Sequence, residues 1–272
     1  MSHTEITQFA ETLWDYYAHH ARHNLPWRQP QADGSFDPYK ILVSELMLQQ
    51  TQVGRVLPKF NEFLMKFPTT ADLAAAPLAE VLSVWNGLGY NRRAKYLWQA
   101  AQLLQSDLQG VFPTTLAGLT LLPGVGKNTA GAIMAYAFNQ PVIFVETNIR
   151  TVYIHHFFKD QTNVSDVAIG EYLQATLDHE QPREFYWALM DYGAHLKQTI
   201  GNVSRHSRGY AKQSKFEGSR RQIRGHVIRT LSVAPATRNQ LQAAVNDERL
   251  AEVLTALTQE GLIRRQGDTF LL

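Results

Sequence analysis

The chain has 272 residues, a net charge of +2 and 44% hydrophobic residues, values typical of a folded globular protein with roughly one to three domains. It contains no cysteine, which excludes disulfides, thiolate catalysis and any iron–sulfur cluster or zinc site held by cysteine. No apolar run is long enough to cross a membrane, and the polar residues 1–11 do not resemble a secretory signal. We therefore expect a cytoplasmic protein that has no membrane partner.

Helical periodicity dominates the sequence. Apolar residues recur at helical spacing within 9–17 and 42–53, and prolines divide the sequence into helices of roughly ten to fifteen residues. The run 142–145 is strand-like, although it could instead lead into a helix. The pattern predicts an all-α fold.

The segment SELMLQQTQV, residues 44–53, contains the first candidate catalytic residue, Glu45. On a helix, Ile41 and Leu48 lie one turn either side of Glu45 and on the same face. A carboxyl group on such a face is partly removed from water, as a general acid requires. Taken alone, this segment favours an ordinary glutamate on a helix surface.

The segment LPGVGKNT, residues 122–129, has the pattern of a tight helical hairpin. We expect one helix to end at Leu122 and a second to begin near Lys127. Two glycines allow a close backbone approach, and the free amides of the second helix can bind an anion such as a DNA phosphate. A plain helix–turn–helix corner is the alternative. The predicted DNA contacts are Gly124, Val125, Gly126, Lys127, Asn128 and Thr129.

The segment PVIFVETNIR, residues 141–150, delivers Glu146 to the start of a predicted helix. An acidic residue there commonly serves only as a partner of the helix dipole. Together with a second carboxylate elsewhere in the chain, it could also stabilise a developing cation.

Basic charge is concentrated in 204–229, which contains eight basic residues and one acidic residue. Tyr210 and Phe216 lie among them, a composition that suits binding to a phosphate backbone. A solvated linker is the alternative. The four residues predicted to contact DNA are Arg205, Arg208, Lys212 and Lys215.

The last fifty residues have a different pattern from the rest of the chain. We expect a helix over 223–231, a second capped by Thr237, a third capped by Asp247 and ended by Gly261, and a two-stranded hairpin over 262–272. This order is typical of a winged-helix-like module. A small packing module that does not touch DNA fits the pattern equally well.

Together these segments resemble the MutY-type adenine glycosylases of the helix-hairpin-helix (HhH-GPD) superfamily and, more distantly, endonuclease III. The resemblance covers about 25–194. The matching segments are LPWR (25–28), DPYK (37–40), SELMLQQTQV (44–53), GLGY (87–90), LPGVGKNTAG (122–131), ETNIR (146–150) and MDYGA (190–194). It implies a two-lobed helix-hairpin-helix glycosylase fold, here with a C-terminal winged-helix-like module.

The resemblance also implies roles for individual residues. Glu45 matches the general acid that protonates the purine, and Glu146 occupies the place of an aspartate that stabilises the sugar cation. The side chains that match positions invading or supporting the base stack are Gln49, Gln50 and Tyr90. Those assigned to the base pocket are Trp27, Arg28 and Trp187.

Several positions depart from the family pattern. The four cysteines of the family's iron–sulfur cluster are missing, and 204–229 occupies their place. Trp187 stands where adenine-specific relatives have a polar side chain. Asn128 stands where bifunctional relatives have a nucleophilic lysine, so we predict no lyase activity. The C-terminal domain that reads 8-oxoguanine is expected to be absent, and Asp191 is expected to cap a helix.

We therefore predict a monofunctional glycosylase acting on a flipped base, with adenine favoured. A thymine, uracil or other damaged-base glycosylase is the first alternative, and a non-catalytic DNA-binding protein is the second. The expected partner is double-stranded DNA with a mispaired or damaged base, bound by a nucleoid-associated monomer. No cofactor or metal is required, although a monovalent cation could bind at the hairpin. The predicted division is 1–30, 31–134, 135–203, 204–219 and 220–272.

Overall fold

The computed structural model describes residues 2–272 and is predominantly helical. The all-α prediction is confirmed. The helices are α1 (His3–His20), α2 (Pro38–Leu48), α3 (Val53–Lys66), α4 (Thr70–Ala75), α5 (Leu78–Trp85), α6 (Arg92–Ser106), α7 (Leu116–Leu119), α8 (Lys127–Tyr136), α9 (Thr147–Phe157), α10 (Asp166–Thr176), α11 (Pro182–Thr199), α12 (Arg220–Leu231), α13 (Arg238–Val245) and α14 (Leu250–Gln259). The strands are β1 (Ala236–Thr237), β2 (Arg264–Gln266) and β3 (Thr269–Leu271).

Three stretches of the chain form the first compact unit: the residues up to Ile41, Pro113–Thr120 and Val125–Lys212. Helix α1 packs on α11 through a buried stripe at helical spacing, and Ser2 and Glu5 cap its N-terminus reciprocally. Helices α9 and α11 approach closely at Gly193. A Cβ there would lie 2.5 Å from the Asn148 carbonyl oxygen, so only glycine fits.

The second compact unit comprises Leu42–Phe112, Leu121–Gly124 and Gln213–Leu272. Aromatic side chains fill the core of its first part; the rings of Phe63 and Trp85 meet edge to face with their centroids 6.0 Å apart. Helix α6 buries Leu97, Ala101 and Leu104 along one face. This helix also has a buried arginine near its start, which is described below.

The C-terminal module, residues 220–272, consists of α12, α13, α14 and an antiparallel sheet in the order β1-β3-β2. The predicted Thr237 cap is confirmed, because its side chain accepts from the Gln240 amide in a capping box. The predicted two-stranded wing was incomplete, because β1 pairs with β3 through Ala236 and Phe270. A two-residue strand is too short to produce a period that a sequence can reveal.

Three helix termini and one predicted capping residue differ from the sequence prediction. Arg249 is the N-cap of α14, not Asp247, whose carboxylate instead accepts from the Arg249 amide at 2.9 Å. Helix α12 begins at Arg220, three residues early, and α7 ends at Leu119 instead of Leu122. Asp191 lies inside α11 and caps no helix terminus.

The remaining predictions about organisation concern the run 142–145, membrane spans and domain boundaries. The run 142–145 is neither helix nor strand and leads into α9. Across residues 2–272, no helix combines the length and the apolar character that a membrane crossing requires. The predicted division at 1–30, 31–134, 135–203, 204–219 and 220–272 stays a prediction.

Candidate functional site

Glu45 lies in α2, in the second compact unit, and is half-buried. Its chain neighbours Ser44 and Leu46 are buried, as is Ile41 one turn earlier. Leu48, which follows Glu45 by three residues, is half-buried. The carboxyl group therefore stands at the edge of an apolar face, the environment that the sequence predicts for a general acid.

A buried arginine that the sequence analysis did not identify holds the end of the helix that carries Glu45. Arg93 is only 6% exposed, and its Nη1 donates to three carbonyls at the end of α2. The bonds reach Leu46 at 2.7 Å, Met47 at 2.9 Å and Gln49 at 2.6 Å. These are the carbonyls that a helix C-terminus leaves without helical partners, and a cation there also interacts favourably with the helix dipole.

The same guanidinium fixes a second turn. Nη2 of Arg93 donates to the Thr51 hydroxyl and to the Gly89 carbonyl, both at 3.1 Å. Burial lowers the pKa of Arg93 to about 10, so the side chain remains a cation at neutral pH. Arg93 thus joins the turn after α2 to the turn before α6.

These two turns present the residues predicted to invade the base stack. Gln50 and Tyr90 both adopt left-handed backbone conformations, with φ of 55° and 48°. Gln49, Gln50 and Tyr90 line one common cavity. The structure therefore brings together the three residues that the sequence grouped by resemblance alone.

The hairpin has the backbone features that its sequence predicts. Gly124 has a φ of 81°, and a Cβ there would lie 2.7 Å from the Cβ of Tyr96, so this glycine is required on both grounds. Gly126 is the N-cap of α8 and has no side chain to accept from the first amides of the helix. Gly126, Lys127 and Asn128 are exposed. The first turn of α8 can therefore receive a phosphate group.

Glu146, in the first compact unit, is the N-cap of α9. Its Oε1 accepts from the amides of Asn148 at 2.5 Å and Ile149 at 3.2 Å. These two bonds fix the carboxyl group at the N-terminal end of the helix dipole. Glutamate in place of the family's aspartate is thus accommodated as a fixed, half-buried carboxylate.

Lys197 is a second residue that sequence reasoning missed. Its ammonium donates to the Asn148 side-chain oxygen at 2.7 Å. Burial lowers the pKa of Lys197, and the charge of Glu146 opposes that effect. The carboxylate therefore has a cation in its electrostatic environment, held by α11. No motif marked this lysine, since it lies after the matched MDYGA segment.

Asn128, which replaces the nucleophilic lysine of bifunctional relatives, has a structural contact. Its side-chain amide donates to the Val145 carbonyl at 2.8 Å. The start of α8 is thereby tied to the residue that precedes Glu146. The side chain positions the Glu146 segment and carries no nucleophile.

The predicted base-pocket residues lie in the first unit around one buried ion pair. Arg28 donates twice to Asp191, with both bonds at 2.8 Å, and Arg22 donates to the same carboxylate. Burial alone would raise the pKa of Asp191, but Arg28 and Arg22 outweigh that effect and keep it below its usual range. Asp191 therefore anchors α11 to the segment around Trp27 by charge-assisted bonds, which replaces the predicted capping role.

Trp187 is packed within this region. Its ring stacks near Tyr136 at a centroid distance of 5.9 Å and meets Phe36 edge to face at 5.4 Å. The Arg28 guanidinium carbon lies 5.2 Å from the Trp187 ring centroid. Trp187 is 6% exposed, and Trp27 is equally buried. The assignment of these three residues to a base pocket stays a prediction.

The four basic residues predicted to contact DNA, Arg205, Arg208, Lys212 and Lys215, are all exposed. In the part of the chain that the structure describes, none of them forms a salt bridge. The start of the basic segment 204–229 is anchored, because the Arg208 amide donates to the Val164 carbonyl at 2.8 Å. Their charges remain accessible to a phosphate backbone.

Among residues 2–272, no group of three or more His, Cys, Asp or Glu side chains is arranged to hold a metal ion. The sequence has no cysteine, so the thiolates that hold an iron–sulfur cluster are missing. The residues present do not fit such a cluster.

Comparisons with known proteins agree with the motifs. Residues 43–170 match the sequence model of the HhH-GPD superfamily base excision DNA repair proteins. The chain is 33% identical over 271 residues to the adenine DNA glycosylase of Mycolicibacterium smegmatis, covering 92% of this chain and 90% of that protein. It is 33% identical over 230 residues to the adenine DNA glycosylase of Buchnera aphidicola subsp. Baizongia pistaciae, covering 81% of this chain and 63% of that protein.

The fold is also similar to that of a solved DNA glycosylase structure. The fold resembles that of a thermostable thymine-DNA glycosylase with a TM-score of 0.61 and 27% identity, covering 70% of this chain and 87% of that one. Since the match to the Mycolicibacterium smegmatis protein extends over 90% of that protein, the chain belongs to the HhH-GPD superfamily of base excision DNA repair proteins and to its MutY-like branch of DNA N-glycosylases.

Proposed function

We propose that the protein is a monofunctional glycosylase that removes adenine from a mispair in double-stranded DNA and leaves an abasic site. The observation that carries the proposal is the presence of two glutamates in contrasting environments. Glu45 stands half-buried at the edge of an apolar helix face, and Glu146 is fixed by two helix amides. The adenine glycosylases among the relatives support the choice of base.

The chemistry divides between these residues. Glu45 donates a proton to the extruded base, which weakens the bond between the base and the sugar carbon C1′. As that bond breaks, Glu146 stabilises the positive charge that develops on the sugar. Water then adds its hydroxyl to C1′ and releases a proton. The products are the free base and an abasic site.

The absence of lyase activity follows from Asn128. A lyase reaction needs an amine that attacks C1′ and forms a Schiff base, and the amide of Asn128 cannot do so. Its bond to the Val145 carbonyl supports a positioning role instead. We therefore propose simple hydrolysis as the only chemical step.

The test is a panel of labelled duplexes that carry adenine, thymine or uracil in defined mispairs. Glu45→Gln should reduce adenine release by about 10²–10⁴-fold, the usual contribution of a general acid, and should leave DNA affinity unchanged. Glu11→Gln, a substitution at an exposed glutamate of α1, is the matched control and should retain full activity. Adenine release by Glu45→Gln at the wild-type rate would contradict the assignment.

A thymine or uracil glycosylase is the second candidate. It is favoured by the likeness to the thermostable thymine-DNA glycosylase and by Trp187, an aromatic residue at the position where adenine-specific relatives have a polar side chain. Release of thymine or uracil opposite guanine, without release of adenine, would select this candidate. The same panel therefore decides between the two.

A further inference from the structure

The C-terminal module contributes to a cavity beside the predicted stack-invading residues. Helix α12 borders it on one side, and the turns after α2 and before α6 border it on the other. Its volume is about 380 Å³, which is within the range of small-molecule sites. The lining residues are Gln49, Gln50, Gly89, Tyr90, Asn91, Arg92, Arg93, Arg221, Arg224 and Gly225.

The lining of this cavity is strongly basic. Four arginines contribute to it, and its ten lining residues include no acidic side chain. Glu260 does not line the cavity, but its carboxylate accepts from Arg92 at 2.6 Å and from Arg224 Nη1 at 2.9 Å. These two arginines are therefore engaged in ion pairs with one shared carboxylate, and Arg93 is committed to backbone carbonyls.

Arg221 differs from the other three because all its partners are neutral. Nη1 donates to the Tyr90 hydroxyl at 2.6 Å, and Nη2 donates to the Ser214 carbonyl at 2.5 Å. A bond from a guanidinium to a neutral acceptor is weaker than an ion pair with a carboxylate, so it is exchanged for a bond to a ligand more readily. Of the four guanidiniums, Arg221 is thus the one that can turn to a ligand at low cost.

The position of the cavity indicates what the ligand is. Extrusion of one base leaves its partner unpaired, and the side chains that fill the gap become its neighbours. Gln50 and Tyr90, which we expect to fill the gap, line the cavity. Arginine recognises guanine through two parallel bonds to O6 and N7.

We propose that this cavity receives the unpaired guanine-type base of the opposite strand and that Arg221, supplied by the C-terminal module, reads its acceptor edge. The proposal rests on the proposed glycosylase function, because it requires an extruded partner base. It gives the C-terminal module a role in specificity.

The test measures the affinity of the intact protein for three duplexes in which adenine faces guanine, cytosine or an abasic analogue. The wild type should prefer the duplex with guanine. Arg221→Gln and Arg221→Lys should both lose at least about fivefold of that preference, the lower end for a bidentate contact. Arg220→Gln is the matched control, because Arg220 is exposed, pairs with Glu252 and does not line the cavity.

The two Arg221 variants separate base reading from phosphate binding. The lysine variant keeps the charge and loses the two-pronged geometry, and it protects the test against a folding defect in the glutamine variant. Equal weakening of all three duplexes, full discrimination by Arg221→Lys, or no wild-type preference would each overturn the proposal. Intact preference without release of any base would contradict the proposed chemistry and not the cavity assignment.

Discussion

Replacing Arg93 by methionine tests whether its hydrogen bonds stabilise the turns after α2 and before α6. Methionine fills a similar length of apolar space and cannot donate a hydrogen bond. The substitution leaves the carbonyls of Leu46, Met47 and Gln49 without their donor at the end of α2. The turn at Gly89 loses a donor as well.

The expected loss in the free energy of unfolding follows from the number of hydrogen bonds removed. Each buried acceptor left without a partner costs about 1–3 kcal/mol, so three of them cost at least about 3 kcal/mol. Removing the guanidinium also removes its own desolvation penalty, which places the net loss near the lower end. We expect Arg93→Met to lower the free energy of unfolding by about 3 kcal/mol and to slow base release, because Glu45 and Gln50 lose a common support.

Urea denaturation followed by circular dichroism measures the first effect, and single-turnover base release measures the second. Arg92→Met is the matched control. The Arg92 side chain is 57% exposed in its pair with Glu260, so the control should lose no more than about 1 kcal/mol. Equal free energies of unfolding for the two variants would refute the reasoning.

Three further predictions concern the chemistry, the DNA contacts and the module. Asn128→Lys should yield a borohydride-trapped DNA adduct, and neither the wild type nor Asn128→Ala should do so. Neutralising the four exposed basic residues Arg205, Arg208, Lys212 and Lys215 should reduce the magnitude of the slope of log Kobs against log[salt] by up to about 3.6. An unchanged slope would exclude these residues as phosphate contacts. Burial alone would raise the pKa of Glu260, but bonds from Arg92 and Arg224 lower it from 4.5 to about 2. The stability it contributes is therefore complete above pH 4.5 and is lost as the pH falls towards 2, so the difference in denaturation midpoint between wild type and Glu260→Gln should shrink over that interval.

Much of the fold could be predicted because local chemistry determines it. The Thr237 cap and the glycine hairpin each depend on a few adjacent residues, and both adopt the expected local structure. Helix ends were less accurate. The end of α7 at Leu119 and the N-cap at Arg249 lie two to three residues from the predicted positions, because a local pattern locates the end of a helix less sharply than its existence.

The role of Arg93 could have been found from helical phase. Arg93, Leu97, Ala101 and Leu104 share the spacing of one helix face, and all are buried. A charged residue in phase with an apolar stripe must find partners in the interior. Asp191 gives the same signal, because Trp187 and Ala188, one turn earlier on its face, are also buried. In both cases the phase was visible in the sequence, whereas the partners were not.

The roles of Lys197 and Arg221 could not be found in this way. Their partners, Asn148 and Tyr90, are 49 and 131 residues away in the chain. No spacing rule connects residues across such distances. Only the three-dimensional fold identifies these contacts.

The first residues of α6 form hydrogen bonds both to the C-terminal module and to the end of α2, the helix that carries Glu45. Adjacent helical residues point about 100° apart, so Arg93 turns inward to the end of α2 while Arg92 turns to Glu260 of the module. Lys95, one turn further on, donates to the Glu260 carbonyl and adds a second link. The cavity lining is thus fixed on one side by bonds to α2 and on the other by bonds to the module. Because Glu45 lies outside the contacts of Glu260, loss of that carboxylate should disturb recognition of the opposite base more than it disturbs proton transfer.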